Sequence, residues 1–129
     1  MVLPARHLVL VVEDQPPLRG LIAEALQAAG YDVAEAWNGV GAIEQLTRLL
    51  PEQRVCVVLL DLRLPYVDGL AVLRHLTTLG DSIPVIAVSA DPDLLTAATQ
   101  QGAQATLAKP FDLDALLAAV ARYCPLKPD

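Results

Sequence analysis

The stretch that most restricts the fold is Arg54-Val55-Cys56-Val57-Val58-Leu59-Leu60-Asp61. Six consecutive apolar residues suit a short strand covered on both faces, and such strands belong mainly to parallel sheets flanked by helices. The run ends in a carboxylate. In an open parallel sheet the ligand crevice lies outside the carboxyl ends of the strands, so Asp61 is carried to the edge where ligands bind. Taken alone, Asp61 would be a cap for the turn that follows; the rest of the chain reverses that reading.

Leu8–Val12 is a second buried-strand run, and it too stops at acid, Glu13-Asp14. Pro16-Pro17 opens a helix where a missing N–H costs least, and Leu18, Leu21, Ile22, Ala25, Leu26 and Ala29 recur at helical spacing until Gly30. Tyr31 to Ala36, with Asp32 and Glu35 among apolar residues, suits a less buried strand near the sheet edge. Asn38-Gly39 starts a helix carrying Val40, Ile43, Leu46 and Leu50. After the central strand, Leu62 to Asp68 is a loop containing Pro65, and Gly69 leads into a helix with Val72, Leu73 and Leu76 facing inward, closing at Gly80. Ile83 to Val88 is a fourth strand that tolerates Pro84 near its start and delivers Ser89. Asp91-Pro92 caps and opens a helix to about Gln101, with Gly102 stopping it. Ala105 to Ala108 forms a short fifth strand ending at Lys109-Pro110, and Asp112 caps a last helix with Leu113, Leu116, Leu117 and Val120 inward.

Five strands alternating with five helices predict an α/β domain: a single doubly wound, five-stranded parallel sheet of order 2-1-3-4-5, a flavodoxin-like (βα)5 fold. Strands 1 and 3 are then neighbours at the switch point, which places Glu13, Asp14 and Asp61 in one crevice. Two unit charges about 4 Å apart interact by about 4 kcal/mol at an effective dielectric of 20. Three carboxylates there must therefore take up protons or hold a cation, and hard oxygen donors favour Mg²⁺, with Mn²⁺ as its substitute. Singly, Ser89 would be a helix-entry residue and Lys109 a solvated lysine. Neither explanation covers acid, acid, acid, hydroxyl and ammonium arriving together at four of the five strand ends.

The 129 residues predict one domain with a core built mostly from Ala, Val and Leu. A net charge of -6, with Lys109 and Lys127 the only lysines, argues against nucleic acid as the main partner, because phosphate binding needs a basic face. Cys56 lies inside the core strand and Cys124 near the end of the chain, so both are expected to be reduced, structural thiols of a cytoplasmic protein. Met1 to Val12 lacks the pattern of a signal peptide, and no apolar run approaches a membrane span.

Val11-Val12-Glu13-Asp14, Leu59-Leu60-Asp61-Leu62, Pro65-Tyr66-Val67-Asp68-Gly69, Ser89-Ala90 and Lys109-Pro110-Phe111 stand in an order that resembles the receiver domain of two-component response regulators. The resemblance covers residues 7–123 of a single domain, 1–129, with a short tail, 124–129. It implies that Asp61 accepts a phosphoryl group from a histidine kinase or histidine phosphotransfer protein. Asp14 and Asp61 would ligate Mg²⁺ directly, with Glu13 acting through water and the backbone carbonyl of Arg63 as a further ligand. Lys109 and Ser89 would hold the phosphoryl oxygens, and Lys109-Pro110 would be a cis peptide. The protein would catalyse its own phosphorylation and slow dephosphorylation without being a turnover enzyme. The switching face would be helix 4, strand 5 and helix 5, also the surface for a homodimer or a downstream effector. No output domain is expected within these residues.

Two positions depart from the family pattern. Thr106 replaces the aromatic residue usual three positions before the lysine, so coupling is expected to run through a shift of helix 4 itself. Arg63 and Asp91 carry opposite charges beside the phosphoryl site and are expected to pair over it or to remain solvated. Competing functions are an aspartate-nucleophile hydrolase of the haloacid dehalogenase type, a flavodoxin-like electron carrier and a phospho-independent docking module. The first normally has a second Asp where Arg63 stands, and the second needs a hydroxyl-rich phosphate loop where Glu13-Asp14-Gln15-Pro16 stands.

Overall fold

The computed structural model describes residues 7–49, 55–78 and 83–126; Leu50, Arg54, Gly80 and Lys127, named above, lie outside the described residues. In chain order the elements are β1 (Leu8–Val12), α1 (Pro16–Ala28), β2 (Asp32–Ala36), α2 (Gly39–Leu49), β3 (Val55–Asp61), α3 (Gly69–Thr78), β4 (Val85–Ser89), α4 (Pro92–Gln100), β5 (Ala105–Ala108) and α5 (Leu113–Tyr123). All strand pairs are parallel and the sheet order is β2-β1-β3-β4-β5, as the alternation of elements predicts.

The two-residue period of the strands divides the core into two layers. Leu10, Val12, Val58, Leu60 and Ala87 meet Ala42 and Leu46 of α2, Val72, Leu73 and Leu76 of α3 and Ala98 of α4. Val9, Val11, Val57, Leu59 and Ile86 meet Ile22 and Leu26 of α1 and Leu116 and Val120 of α5. Gly30, at φ 108°, supplies the left-handed residue that ends α1.

Some expectations are corrected. Leu21 and Val40 are exposed at 49% and 45%, and Ala29 is exposed as well. The contact arc of α1 is carried by Ile22, Ala23 and Leu26, and α2 presents Ala42, Leu46 and Leu49, one step round the helix from Val40. Strand β4 starts at Val85; Pro84 has no N–H for the ladder and contributes only its carbonyl, which accepts from Val58 N–H at 2.9 Å. Asp112 is the N-cap residue of α5 without a side-chain cap bond, whereas Asp91 caps α4 by accepting from Asp93 N–H.

The larger correction concerns the cysteines: Cys56 and Cys124 form a disulfide with Cα atoms 5.7 Å apart, not two free thiols. Simple alternation would send Cys56 to the α2–α3 layer, opposite to Val57. The β1–β3 register shifts between Leu8 and Val9, where Val55 and Val57 become successive partners, and this extra residue turns Cys56 into the α1–α5 layer. There it meets the end of α5, where the buried Tyr31 hydroxyl also donates to the Cys124 carbonyl at 2.8 Å. Burial raises the phenol pKa of Tyr31. The bridge spans 68 positions of sequence, so reducing it is expected to lower unfolding stability by about 2–4 kcal/mol. Urea melts with and without a dithiol reductant, beside thiol counts on unreduced denatured protein, check this; two free thiols before reduction would refute it.

Candidate functional site

Strands β1 and β3 run in register to their ends, Val12 opposite Leu60, so the next residues, Glu13 and Asp61, emerge side by side. Glu13 N–H donates to the Ala36 carbonyl at 3.0 Å, which extends the β1–β2 ladder by one bond beyond the strand. On the other side of β3, Asp61 is level with Val88 and Ser89 is level with Ala108, so Ser89 and Lys109 reach the same edge. Lys109 N–H donates to the Ser89 carbonyl at 3.0 Å, and the Lys109-Pro110 peptide is cis, as expected.

Glu13, Asp14 and Asp61 each place a carboxylate oxygen within 4.8 Å of the others. Glu13 and Asp61 are buried, at 3% and 4% exposure, and Asp14 is half-buried. Lys109 Nζ lies 3.0 Å from Glu13 Oε1 and 3.0 Å from Asp61 Oδ2, bridging strand 1 to strand 3. The other oxygens are also engaged: Arg63 N–H donates to Asp61 Oδ1 at 2.9 Å and Gln15 N–H to Glu13 Oε2 at 3.1 Å. Ser89 Oγ accepts from Asp91 N–H at 3.0 Å, leaving its own proton available.

Burial pushes the Glu13 carboxyl up to about 7, against the downward pull of Lys109 and Gln15, with the neighbouring Asp61 charge adding to the rise. For Lys109 burial acts downward, but its bonds to Glu13 and Asp61 prevail and raise its pKa. Two of the three clustered acids, Glu13 and Asp61, share one ammonium, and the three carboxylates together form a donor set that fits a hard divalent cation, which would relieve the burial cost that raises Glu13.

A pH dependence follows. Between the ordinary value of 4.5 and about 7 the folded, metal-free protein binds more protons than the unfolded chain. The stability contributed by Glu13 is therefore fully present below 4.5 and lost as pH rises through about 7, by about 3 kcal/mol. Melts in chelator are expected to show lower stability at pH 8 than at pH 5 from this group, with the increment from added Mg²⁺ growing over the same range. An Mg²⁺ increment independent of pH would contradict the assignment.

Arg63 and Asp91 do pair, Nη2 to Oδ2 at 3.0 Å, between the loops after β3 and β4. Thr106 is exposed on β5 opposite Ala87, without a ring at that place. Two features carried no clear sequence signal. Tyr66 has φ 71° and is 90% exposed in the β3–α3 loop, a conformation that sequence rules reserve for Gly or Asn. Gly69 packs so closely behind Asp61 that a Cβ on it would lie 2.4 Å from Leu62 Cα and 2.7 Å from the Asp61 carbonyl oxygen.

The sheet order and the edge that carries acids, hydroxyl and lysine define the CheY-like class of flavodoxin-like domains. Residues 9–121 match the response regulator receiver domain, and the chain belongs to that family. It is 35% identical over 121 residues to sporulation initiation phosphotransferase F of Bacillus subtilis (strain 168), covering 92% of this chain and 94% of that protein. It is 39% identical over 119 residues to the DNA-binding transcriptional regulator NtrC of Escherichia coli (strain K12), covering 91% of this chain but 24% of NtrC. Among solved structures, the signal receiver domain of a putative LuxO repressor protein from Vibrio parahaemolyticus superimposes with a TM-score of 0.82 at 30% identity, covering 92% and 90% of the two chains. Among the described residues, no helix is long and apolar enough to cross a membrane.

Proposed function

We propose that this receiver domain is a phosphoacceptor of a two-component or phosphorelay system, with Asp61 as the accepting residue. The observation that carries the reading is the Lys109 ammonium seated between Asp61 and Glu13 at 3.0 Å from each, at the switch point of the sheet. An Asp61 oxygen attacks phosphorus of a phosphohistidine; the O–P bond forms, the N–P bond breaks, and the leaving imidazole keeps the electron pair and takes a proton from solvent. Asp14 and Asp61, with Glu13 and the Arg63 carbonyl in support, would hold Mg²⁺ or Mn²⁺, which when bound neutralises charge on the transferred group. Lys109 also neutralises that charge, turning its N–H donors from the carboxylates to the phosphoryl oxygens. Ser89 donates its free hydroxyl proton to one of those oxygens, and its hydrogen bond to Asp91 N–H links that movement to the start of α4.

The donor would be a histidine kinase or histidine phosphotransfer protein, and the setting the cytoplasm, where the dithiol pool decides whether Cys56–Cys124 is closed. The protein works once per phosphorylation and is not a turnover enzyme: Arg63 occupies the place of the acid/base that a phosphohydrolase of similar architecture uses. Incubation with Mg²⁺ and a small acyl or amido phosphate, followed by intact mass, tests the assignment. Wild type is expected to gain one phosphoryl group, and no gain with any donor would overturn it.

The Arg63–Asp91 pair spans the mouth of the site and slows the approach of water to the acyl phosphate. Its side chains are 70% and 32% exposed, so the effect is modest, as an exposed pair contributes about 0–1 kcal/mol. Arg63→Ala and Asp91→Ala are each expected to shorten the aspartyl-phosphate lifetime, by at most about fivefold. Unchanged lifetimes in both would remove this role.

A further inference from the structure

Arg19 stands in the opening turn of α1, the positive end of the helix, where a cation is unfavourable. Its side chain is nonetheless only 16% exposed, which calls for compensating contacts. Three are present. Nη1 donates to the Glu13 carbonyl at 3.0 Å, Nε lies 3.3 Å from Glu35 Oε1, and the guanidinium carbon sits 5.3 Å from the centre of the Trp37 ring.

Glu35 and Trp37 flank Ala36, whose carbonyl already takes the Glu13 N–H. Both polar groups of the Glu13 backbone are therefore anchored to the end of β2, the N–H directly and the carbonyl through Arg19. That carbonyl belongs to the peptide leading into Asp14. Its orientation decides how the chain turns out of β1, and with it how the Asp14 carboxylate stands relative to Glu13 and Asp61. A planar guanidinium suits the task, because its fixed fork can serve a carbonyl and a carboxylate at once while its face lies on an aromatic ring.

We infer that Arg19 is a positioning residue for the acidic site: by fixing the Glu13–Asp14 peptide against β2, it holds the three carboxylates in the arrangement that takes up a divalent cation. The inference rests on the metal-binding reading above. Its sign separates it from a plain charge effect. Removing a nearby positive charge should tighten binding of a cation, whereas releasing the peptide should weaken it.

The test is Mn²⁺ binding followed by electron paramagnetic resonance, with Mg²⁺ titrations read by fluorescence of Trp37, the sole tryptophan. Wild type, Arg19→Ala, Arg19→Lys, Glu35→Gln and Asp14→Asn are compared, with circular dichroism to establish folding. Wild type should bind saturably and Asp14→Asn should lose binding. Arg19→Ala should bind about tenfold more weakly, the scale of a lost hydrogen bond from a charged donor, with Arg19→Lys recovering part of the loss. Arg19→Ala binding Mn²⁺ as tightly as wild type, or more tightly, overturns the inference while leaving the metal site standing. If wild type itself binds nothing, the metal reading falls and this role falls with it. Should Arg19→Ala not fold, Arg19→Lys decides, because it keeps the charge: weaker binding than wild type supports the role and unchanged affinity overturns it, while Glu35→Gln measures the charge effect of Glu35 itself.

Discussion

Asp61→Asn is expected to abolish phosphoryl uptake completely, with no mass gained from a small phosphodonor under conditions where wild type is modified. The amide cannot serve as the attacking oxygen, and its nitrogen offers a donor toward Lys109 where the carboxylate offered an acceptor. The fold should survive, since Asn keeps the size of Asp and retains an oxygen for the Arg63 N–H that now bonds Oδ1 at 2.9 Å. Glu13 and Asp14 lie close by as alternative carboxylates. Retention of full uptake in Asp61→Asn would move the acceptor to one of them. Glu13 is the less suitable, because its oxygens are held by Lys109 and Gln15 and its proton leaves only near pH 7.

Lys109→Met should separate two properties that usually change together. Without the ammonium, Glu13 and Asp61 face each other buried and unpaired, a loss of about 3–5 kcal/mol in the metal-free protein at pH 8 if both stay charged. Glu13 will instead take up a proton more readily, so the cost shrinks toward pH 5. A divalent cation meets less competing positive charge, so its binding should hold or tighten. Phosphorylation should nevertheless fall about 100-fold or more, the scale of losing one preorganised donor to a transferring group. Stability measured in chelator at both pH values, Mn²⁺ affinity and the rate of mass gain check the three parts. An undiminished rate would take Lys109 out of the chemistry and leave it a structural bridge.

The fold was legible because each buried strand is an unbroken apolar run and each helix carries its own start or stop, such as Pro16-Pro17, Gly30, Asp91-Pro92 and Gly102. The site was legible for the same topological reason: once β1 and β3 are neighbours, Glu13, Asp14 and Asp61 must converge. What escaped depends on departures from ideal geometry. The Cys56–Cys124 bridge needs the register shift at Leu8/Val9, which no pattern of hydrophobicity encodes. Leu21 and Val40 obey helical spacing yet face outward, because the sheet meets a narrower stripe of α1 and α2 than the periodicity offers. Arg19 could have been suspected: a cation at the wrong end of a helix, just after an acid pair, is a local conflict that asks for a reason. Tyr66 gives no such clue, since only the backbone reveals its left-handed turn.

Gly69 acts as a spacer of zero thickness under Asp61, the proposed phosphoacceptor. The first residue of α3 rests on the main chain of Asp61 and Leu62 so closely that even a methyl group would overlap it by about 1 Å. The helix cannot retreat freely, because Val72, Leu73 and Leu76 lock it to the sheet. Any added bulk would therefore raise Asp61 in its cup, and a misplacement of about 1 Å is enough to slow an aligned group transfer about 100-fold. The height of the Asp61 carboxylate is thus set from below, by a residue that carries no side chain at all.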